Sequence, residues 1–257
     1  MKRFVLFLLL SISLIAAEKV NPASKAYISD VEGDATVFVP ENGTIKDTTK
    51  KDVYNAEGLI FETKKKSNQA VVLSNGAGLY IDENSHLEIN KFSQEPFKPN
   101  RSDMEVEPSI SQTKGYIPHG YVAICTSKIV AGSNMIYQSP HGGVRLFNNK
   151  ATIDVGDSIT TIISVEGEAS IQVGPFRTER IKVGEKAIVD GKNITVRKAS
   201  KEELDTASEK TAIACNAKRE VYFDVMKQSE NAAEIKAIPV IPIKLPTQFT
   251  VSPATIK

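Results

Sequence analysis

The chain has 257 residues, a formal net charge of +1, 41% hydrophobic residues, 7% aromatic residues and no tryptophan. This length allows one large core or two small ones, and the near-neutral charge gives no basis for general nucleic-acid binding. Because aromatic side chains are few, the core must be built mainly from Val, Ile and Leu, which favour sheets.

The N-terminus has the features of a secretory signal peptide. Two basic residues precede an apolar run over residues 4–15, and small residues end at Ala17, directly before Glu18. We predict that residues 1–17 are a signal peptide cleaved between Ala17 and Glu18, which lowers the formal charge to −1. An uncleaved anchor is the alternative. No later stretch of sequence is apolar enough to span a membrane, so we expect a periplasmic or secreted protein.

Short alternating apolar runs, separated by Gly, Asn and Asp, dominate residues 26–92. A period of two is typical of strands with one buried face. Asn75 and Gly76 lie between two such runs, and an Asn-Gly pair there is a strong hairpin signal because both residues tolerate positive φ. We predict a first β segment over residues 26–92.

The alternation stops between residues 93 and 118, where prolines interrupt a polar stretch. We predict a loop or linker over residues 93–118. The strand pattern resumes over residues 119–197, which we predict to be a second β segment. The fold class is therefore mainly β, as a β-sandwich, a roll or a flattened solenoid of short strands.

One short stretch of the sequence has a similar second copy. Residues 31–37, Val-Glu-Gly-Asp-Ala-Thr-Val, match residues 165–171, Val-Glu-Gly-Glu-Ala-Ser-Ile, in residue type at every position. The two stretches are either equivalent units of a repetitive sheet or hairpins that converged on similar sequences. Two copies do not establish a solenoid.

The C-terminal part changes character after residue 199. Ser200 and Glu203 form a capping-box pattern at the start of helical spacing, so we predict a helix over residues 200–225, with a break near residues 221–225 as an alternative. Residues 231–257 are rich in proline and predict an extended tail. This tail either lies along the domain, engages a partner or has no fixed structure.

The two cysteines, Cys125 and Cys215, lie far apart in the sequence. In an oxidising compartment they could form one disulfide, which would stabilise the fold by up to ~4 kcal/mol in the chain-entropy model. Their spacing alone does not decide whether they meet.

The sequence offers no recognisable catalytic constellation. It has no serine nucleophile elbow, no phosphate-binding loop and no dinucleotide fingerprint. A metal site that joins His119 and His141 in three dimensions is conceivable, but both residues lie in turn-like sequence. We therefore expect no enzyme activity, no catalytic residue, no cofactor and no bound metal.

Candidate ligand contacts come from the middle of the chain. Tyr116, Tyr121 and Tyr137 could provide stacking surfaces for a carbohydrate, and His119 and His141 could add polar contacts. The alternative is that the tyrosines are packed inside the domain.

Several blocks of the sequence resemble the FecR domain family. They are residues 70–90 (AVVLSNGAGLYIDENSHLEIN), residues 139–143 (SPHGG), residues 165–171 and residues 183–187 (VGEKA), with an N-terminal opening at residues 31–38. Together they resemble the strand, glycine-turn and strand pattern of the family over most of residues 26–196.

The resemblance implies an extracytoplasmic β domain that contacts other proteins or envelope polymers, without catalytic residues. Founding members of the family also control a sigma factor through a cytoplasmic segment, which this sequence does not show before its apolar run. The leading hypothesis is a non-catalytic, FecR-like interaction or scaffold module that binds envelope proteins or polysaccharides. The alternatives are a carbohydrate- or peptidoglycan-binding module and an envelope hydrolase with a cryptic site.

Overall fold

The computed structural model describes residues 21–98, 105–147, 150–229 and 232–240. The predicted signal peptide, its cleavage site at Ala17 and Glu18, and most of the predicted tail lie outside the described residues. The described part of the chain contains no helix with the length and apolar character needed to cross a bilayer.

The first half of the described chain is built from short strands. They are β1 (Lys25–Glu32), β2 (Ala35–Val39), β3 (Thr44–Asp47), β4 (Val53–Asn55), β5 (Ile60–Thr63), β6 (Asn68–Leu73), β7 (Gly78–Ile81), β8 (His86–Gln94) and the long β9 (Ser111–Cys125).

The second half continues with strands and ends with a helix and a hairpin. These elements are β10 (Asn134–Ser139), β11 (Gly142–Leu146), β12 (Lys150–Val155), β13 (Ile159–Glu166), β14 (Ala169–Val173), β15 (Arg177–Ile181), β16 (Glu185–Asp190), β17 (Asn193–Lys198), α1 (Lys201–Lys218), β18 (Val221–Ser229) and β19 (Ala232–Pro239).

The strands β1–β17 form two sheets that share strand β9. Sheet A has the order β3-β2-β5-β8-β9-β10-β11-β14-β15. Sheet B has the order β4-β1-β6-β7-β9-β12-β13-β16-β17. Neighbours are antiparallel except β9 and β10. The prediction of a mainly β fold is confirmed, and the two sheets form a sandwich.

Strand β9 bends where it passes from one sheet to the other. Its first part, up to His119, pairs with β8 in sheet A, and the part from Gly120 onward pairs with β12 in sheet B. Gly120 has a φ of +94°, and a Cβ there would lie 2.4 Å from the Cα of Ser85. Both the backbone conformation and the lack of space therefore require glycine at the bend.

One hydrophobic core fills the space between the sheets. Sheet A contributes Val37, Phe61, Leu87, Val144 and Ile171, and sheet B contributes Ile28, Val71, Ile124, Ile153 and Ile162. These residues alternate along their strands with residues that face outward, as the period of two in the sequence predicts.

The two similar stretches of sequence, residues 31–37 and 165–171, contain two similar connections between strands. Gly33 joins β1 to β2 and Gly167 joins β13 to β14, with φ values of +76° and +75°. Each connection carries the chain from sheet B to sheet A. The two units lie on opposite sides of the shared strand β9.

The outer face of sheet B is covered by the C-terminal elements. Helix α1 contacts β6, β7, β9, β12 and β13, and the β18–β19 hairpin joins a second apolar cluster with Tyr27 and Val72. Ser200 caps α1 through its side chain, and Glu203 completes the predicted capping box. A disulfide joins Cys125 of β9 to Cys215 of α1, so the structure pairs the two cysteines.

Three predicted boundaries differ from the structure. The predicted linker over residues 93–118 is shorter, because β8 continues to Gln94 and β9 begins at Ser111. Pro118 lies inside β9, at the irregularity where residues 117 and 118 have no register partner on β8, so the missing N–H costs no ladder hydrogen bond.

The predicted helix over residues 200–225 ends earlier, at Lys218, because the β-branched and aromatic residues that follow form β18. The predicted tail over residues 231–257 begins with a strand, since β19 pairs with β18 along its length. The rest of that tail lies outside the described residues.

The close packing of α1 against sheet B depends on Gly78. A Cβ at Gly78 would lie 2.0 Å from the backbone oxygen of Ala214 in α1, whereas a Cβ at Gly156 would meet nothing closer than 3.7 Å. We expect Gly78→Ala to lower the free energy of unfolding by about 2 kcal/mol or more through overpacking. Gly156→Ala is the matched control and should leave stability almost unchanged. Urea denaturation measures both variants, and equal midpoints would contradict this account of the packing.

Candidate binding face

The outer face of sheet A is covered by none of the described elements. Residues that lie directly opposite each other on neighbouring strands share a face of a sheet. The register therefore places one row of residues across this face: Ile45, Phe38, Ile60, Glu88, Tyr116, Gln138, Gly143 and Gln172. We call this set the outer row.

The first end of the outer row is apolar. Phe38, Ile45 and Ile60 line a small hollow of about 140 Å³ together with Thr36, Glu62 and His86. Ile45 is 70% exposed, and Phe38 and Ile60 are partly exposed. Exposed apolar side chains that lie together are typical of a surface that contacts another molecule.

A histidine and two carboxylates lie beside this hollow. The His86 Nδ1 is 3.0 Å from Glu62 Oε1, and its Nε2 is 3.2 Å from Glu88 Oε1. The ring of His119 lies 5.7 Å from the ring of His86, centroid to centroid. The exposed fractions of these side chains differ: Glu62 is 57% exposed, Glu88 is 29% exposed and His86 is 17% exposed. The imidazole is therefore largely covered, whereas the Glu62 carboxylate reaches water.

The second end of the outer row opens into a cleft of about 480 Å³. Four side chains with polar atoms line it: Gln138, Ser139, His141 and Gln172. Four glycines also line it and leave backbone accessible there. The cleft lies between the β10–β11 turn and the end of β14.

A chain of hydrogen bonds fixes the His141 ring at this cleft. The Ser139 hydroxyl donates to the Gly142 carbonyl oxygen at 3.0 Å, and it lies 2.9 Å from the Thr160 hydroxyl. The Thr160 oxygen lies 2.8 Å from His141 Nδ1. Ser139 Oγ also accepts from the backbone N–H groups of His141 and Gly142, at 3.3 and 3.2 Å, so both of its lone pairs are engaged. Thr160 therefore links this group to His141 Nδ1, and the direction of that hydrogen bond follows the tautomer of the ring.

The structure separates the predicted ligand contacts into two groups. Tyr116 and His119 lie on the open face of sheet A, and His141 lies in the cleft. Tyr121 lies on the part of β9 in sheet B, partly buried near α1, where burial raises the pKa of its hydroxyl.

The prediction is wrong for Tyr137, which is 1% exposed and lies in the core. Tyr137 alternates with the outward residues 136 and 138 of β10, so its ring faces inward. It lies over Gly115, where a Cβ would be 2.6 Å from the ring. Burial raises the pKa of its hydroxyl, which has no hydrogen-bond partner among the described residues.

A third cleft, of about 310 Å³, lies where α1 begins on sheet B. Lys186 Nζ and Glu203 Oε1 form an ion pair at 2.7 Å, and this pair lowers the pKa of Glu203 to about 2. Burial raises the pKa of the nearby Asp154 carboxyl, although part of that residue reaches solvent. Within the described residues, no group of three or more His, Cys, Asp or Glu side chains could hold a metal ion.

Sequence reasoning missed both ends of the outer row. Phe38, Ile45 and Ile60 come from three separate strands, and Gln138 and Gln172 from two others. The alternation along each strand indicates that these residues face outward. Only the cross-strand register shows that they form one row.

Sequence reasoning also missed Lys218, which is buried under the end of α1. It is 8% exposed, and its Nζ lies 3.0 Å from Ser127 Oγ. Burial, and to a smaller extent the charges of Lys150 and Arg219, lower its pKa from 10.5 to about 8. Perturbed pKa values of this kind occur at functional sites, but structural burial produces them as well.

No family model matches the sequence, and no curated protein matches it. Two solved structures resemble the fold, and each is described as a "putative anti-sigma factor" from Parabacteroides distasonis ATCC 8503. The first is 10% identical over 57% of this chain, with a TM-score of 0.44, and the match spans 62% of that protein's length. The second is 8% identical over 69% of this chain and 98% of its own, with a TM-score of 0.43.

The hydrogen bond to Thr160 predicts that this hydroxyl sets the tautomer balance of His141. In the neutral ring, we expect one tautomer to dominate in the wild type, and we expect Thr160→Val to reduce that excess because the partner of Nδ1 is lost. Long-range ¹H–¹⁵N correlation spectra of the imidazole report the two populations directly. Thr161→Val, at the next position of β13, is the control. A tautomer balance left unchanged by Thr160→Val would contradict this role of Thr160.

The pKa of Lys218 predicts how stability depends on pH. The folded pKa of about 8 lies below the unfolded value of 10.5, so the unfolded chain binds more protons between these values and stability rises with pH there. Relative to Lys218→Met, the wild type should gain up to about 3 kcal/mol from pH 8 to pH 10.5. Denaturant unfolding of both proteins at several pH values measures this. A constant difference between them would be the contrary result.

Proposed function

We propose that this chain is a non-catalytic, FecR-like interaction module that acts outside the cytoplasm and binds an envelope protein through the outer face of sheet A. The observation that carries the proposal is the difference between the two outer faces. On the outer side of sheet B, strands β6, β7, β9, β12 and β13 pack against α1, and the β18–β19 hairpin packs against Tyr27 of β1 and Val72 of β6. Sheet A keeps apolar and aromatic side chains exposed on its outer side.

The apolar end of the outer row has the composition of a protein interface. Phe38, Ile45 and Ile60 form an apolar centre, and Glu62 and His86 form a polar rim beside it. Interfaces between proteins have such a centre and rim, with aromatic residues enriched at the centre. The sequence resemblance to the FecR family supports the same class of function, and the N-terminal signal-peptide pattern supports its place outside the cytoplasm.

Strand β3 suggests how a partner binds. It is at the edge of sheet A and pairs with β2, and none of the described strands pairs with its other edge. An extended segment of a partner can add to such an edge through backbone hydrogen bonds. It would place an apolar side chain beside Ile45 and lengthen the apolar end of the outer row.

The test compares two isoleucine variants. The purified chain is incubated with envelope extract, crosslinked and analysed for retained proteins. We expect Ile45→Glu to lower retention of the main partner by about tenfold or more, because it places a charge at the centre of the interface.

Ile159→Glu is the matched control. Ile159 is 41% exposed and lies on β13, a strand of sheet B that contributes no residue to the outer row, so its variant should retain the partner. Loss of retention in both variants or in neither would contradict a role for the outer face of sheet A, as would the failure to recover any partner.

Carbohydrate binding is the second candidate function. It is favoured by the polar cleft at the other end of the outer row.

A further inference from the structure

We infer that the cleft at the polar end of the outer row is a binding site for a neutral, hydroxyl-rich ligand of the saccharide class. This inference rests on the second candidate function and deepens it, and it is separate from the proposed protein partner because it concerns the opposite end of the same face. It rests on the composition of the cleft, on its free hydrogen-bonding groups and on the way those groups are held.

The lining of the cleft fits a neutral polar ligand. Its volume of about 480 Å³ lies in the range of small-molecule sites. No Lys, Arg, Asp or Glu side chain lines it. A charged ligand would lose hydration there without gaining an opposite charge, which is costly, whereas hydroxyl groups lose little when they exchange water for amides.

Three side chains present unused hydrogen-bonding atoms in the cleft. The Gln138 amide has no hydrogen-bond partner within the described ranges of the chain. Gln172 uses its amide N–H to donate to the Gly174 carbonyl oxygen at 3.1 Å, which leaves its Oε1 as an acceptor. His141 offers Nε2, because Nδ1 is engaged by Thr160. This set of donors and acceptors complements a ligand with several O–H groups, each of which can donate and accept.

The His141 ring and the Gln172 amide are held in place before any ligand arrives. The Ser139–Thr160 contact is buried and fixes the His141 ring, as described above. A Cβ at Gly143 would lie 2.6 Å from Gln138 Nε2, and a Cβ at Gly142 would lie 2.8 Å from the Gln172 carbonyl oxygen. The lack of a side chain at Gly143 therefore lets the Gln138 amide lie directly over strand β11, and Gly142 lets β11 lie close to β14. Preorganised groups lose less entropy on binding.

A tyrosine extends the cleft along the outer row. Tyr116 is directly opposite Gln138 on the neighbouring strand, and it is partly exposed. An aromatic ring beside a set of amides can contact the apolar face of a sugar ring while the amides bind its hydroxyls. The arrangement places a stacking surface next to the hydrogen-bonding groups.

The experiment is a titration of the ¹⁵N-labelled mature chain, followed by ¹H–¹⁵N correlation spectra. The probes are chitohexaose, maltohexaose and cellohexaose as neutral oligosaccharides, and a heparin hexasaccharide as the charged comparison. We expect at least one neutral probe to cause saturable shifts confined to the backbone amides of residues 138, 139, 141–143 and 172–174 and of Tyr116. The charged probe should cause none there.

Two variants and one control tie the signal to the cleft. Gln138→Ala and Gln172→Ala should each weaken binding by about tenfold, because each removes hydrogen bonds to the ligand. Gln112→Ala is the matched control, since Gln112 lies at the start of β9 and donates to the Gly132 carbonyl oxygen. It should bind like the wild type. Spectra of the free variants show that each is folded.

Four outcomes would overturn the inference. They are no saturable shift with any neutral probe, shifts elsewhere on the surface, binding unaffected by both cleft variants, and tighter binding of the charged probe. The result is separable from that of the protein-partner test. Ile45→Glu should keep oligosaccharide binding, and Gln138→Ala should keep retention of the partner protein, so either proposal can fail alone.

Discussion

The structure depends on one strand that belongs to two sheets. Strand β9 pairs with β8 and β10 before its bend and with β7 and β12 after it, so each half of the sandwich is hydrogen-bonded to the other through this strand. The bend exists because Gly120 adopts a φ that other residues rarely take and lies against Ser85 without a side chain. Both the open face of sheet A and the covered face of sheet B follow from this crossing.

Local patterns in the sequence predicted local structure well. The capping box at Ser200, the strand class and the position of the turn at Asn75 and Gly76 were predictable because each depends on a few neighbouring residues. The surroundings of that turn were not predictable from the sequence. Asn75 is buried and its amide donates to Ser111 and Thr113, which belong to a distant strand. Of the two turn residues, only Gly76 has a positive φ. The turn is therefore not one in which Asn75 and Gly76 both have positive φ, as an Asn-Gly pair favours.

The candidate site was predictable only in part. Tyr116, His119 and His141 were chosen by residue type, and they lie on the open face or in its cleft. Tyr137 was chosen by the same criterion and lies in the core, because residue type does not give the inward or outward direction of a side chain. The outer row itself depends on the register of eight strands, and that register comes from contacts distant in sequence.

The bond between Cys125 and Cys215 has a consequence for a chain that is cut by a protease. The connection from β17 to α1 is only two residues long and partly exposed at its first residue, Ala199. If this connection is cut, α1 stays attached to β9 through the disulfide, so the two fragments remain covalently joined until the disulfide is reduced. Nicked molecules therefore keep the outer face of sheet B covered for as long as the disulfide stays oxidised.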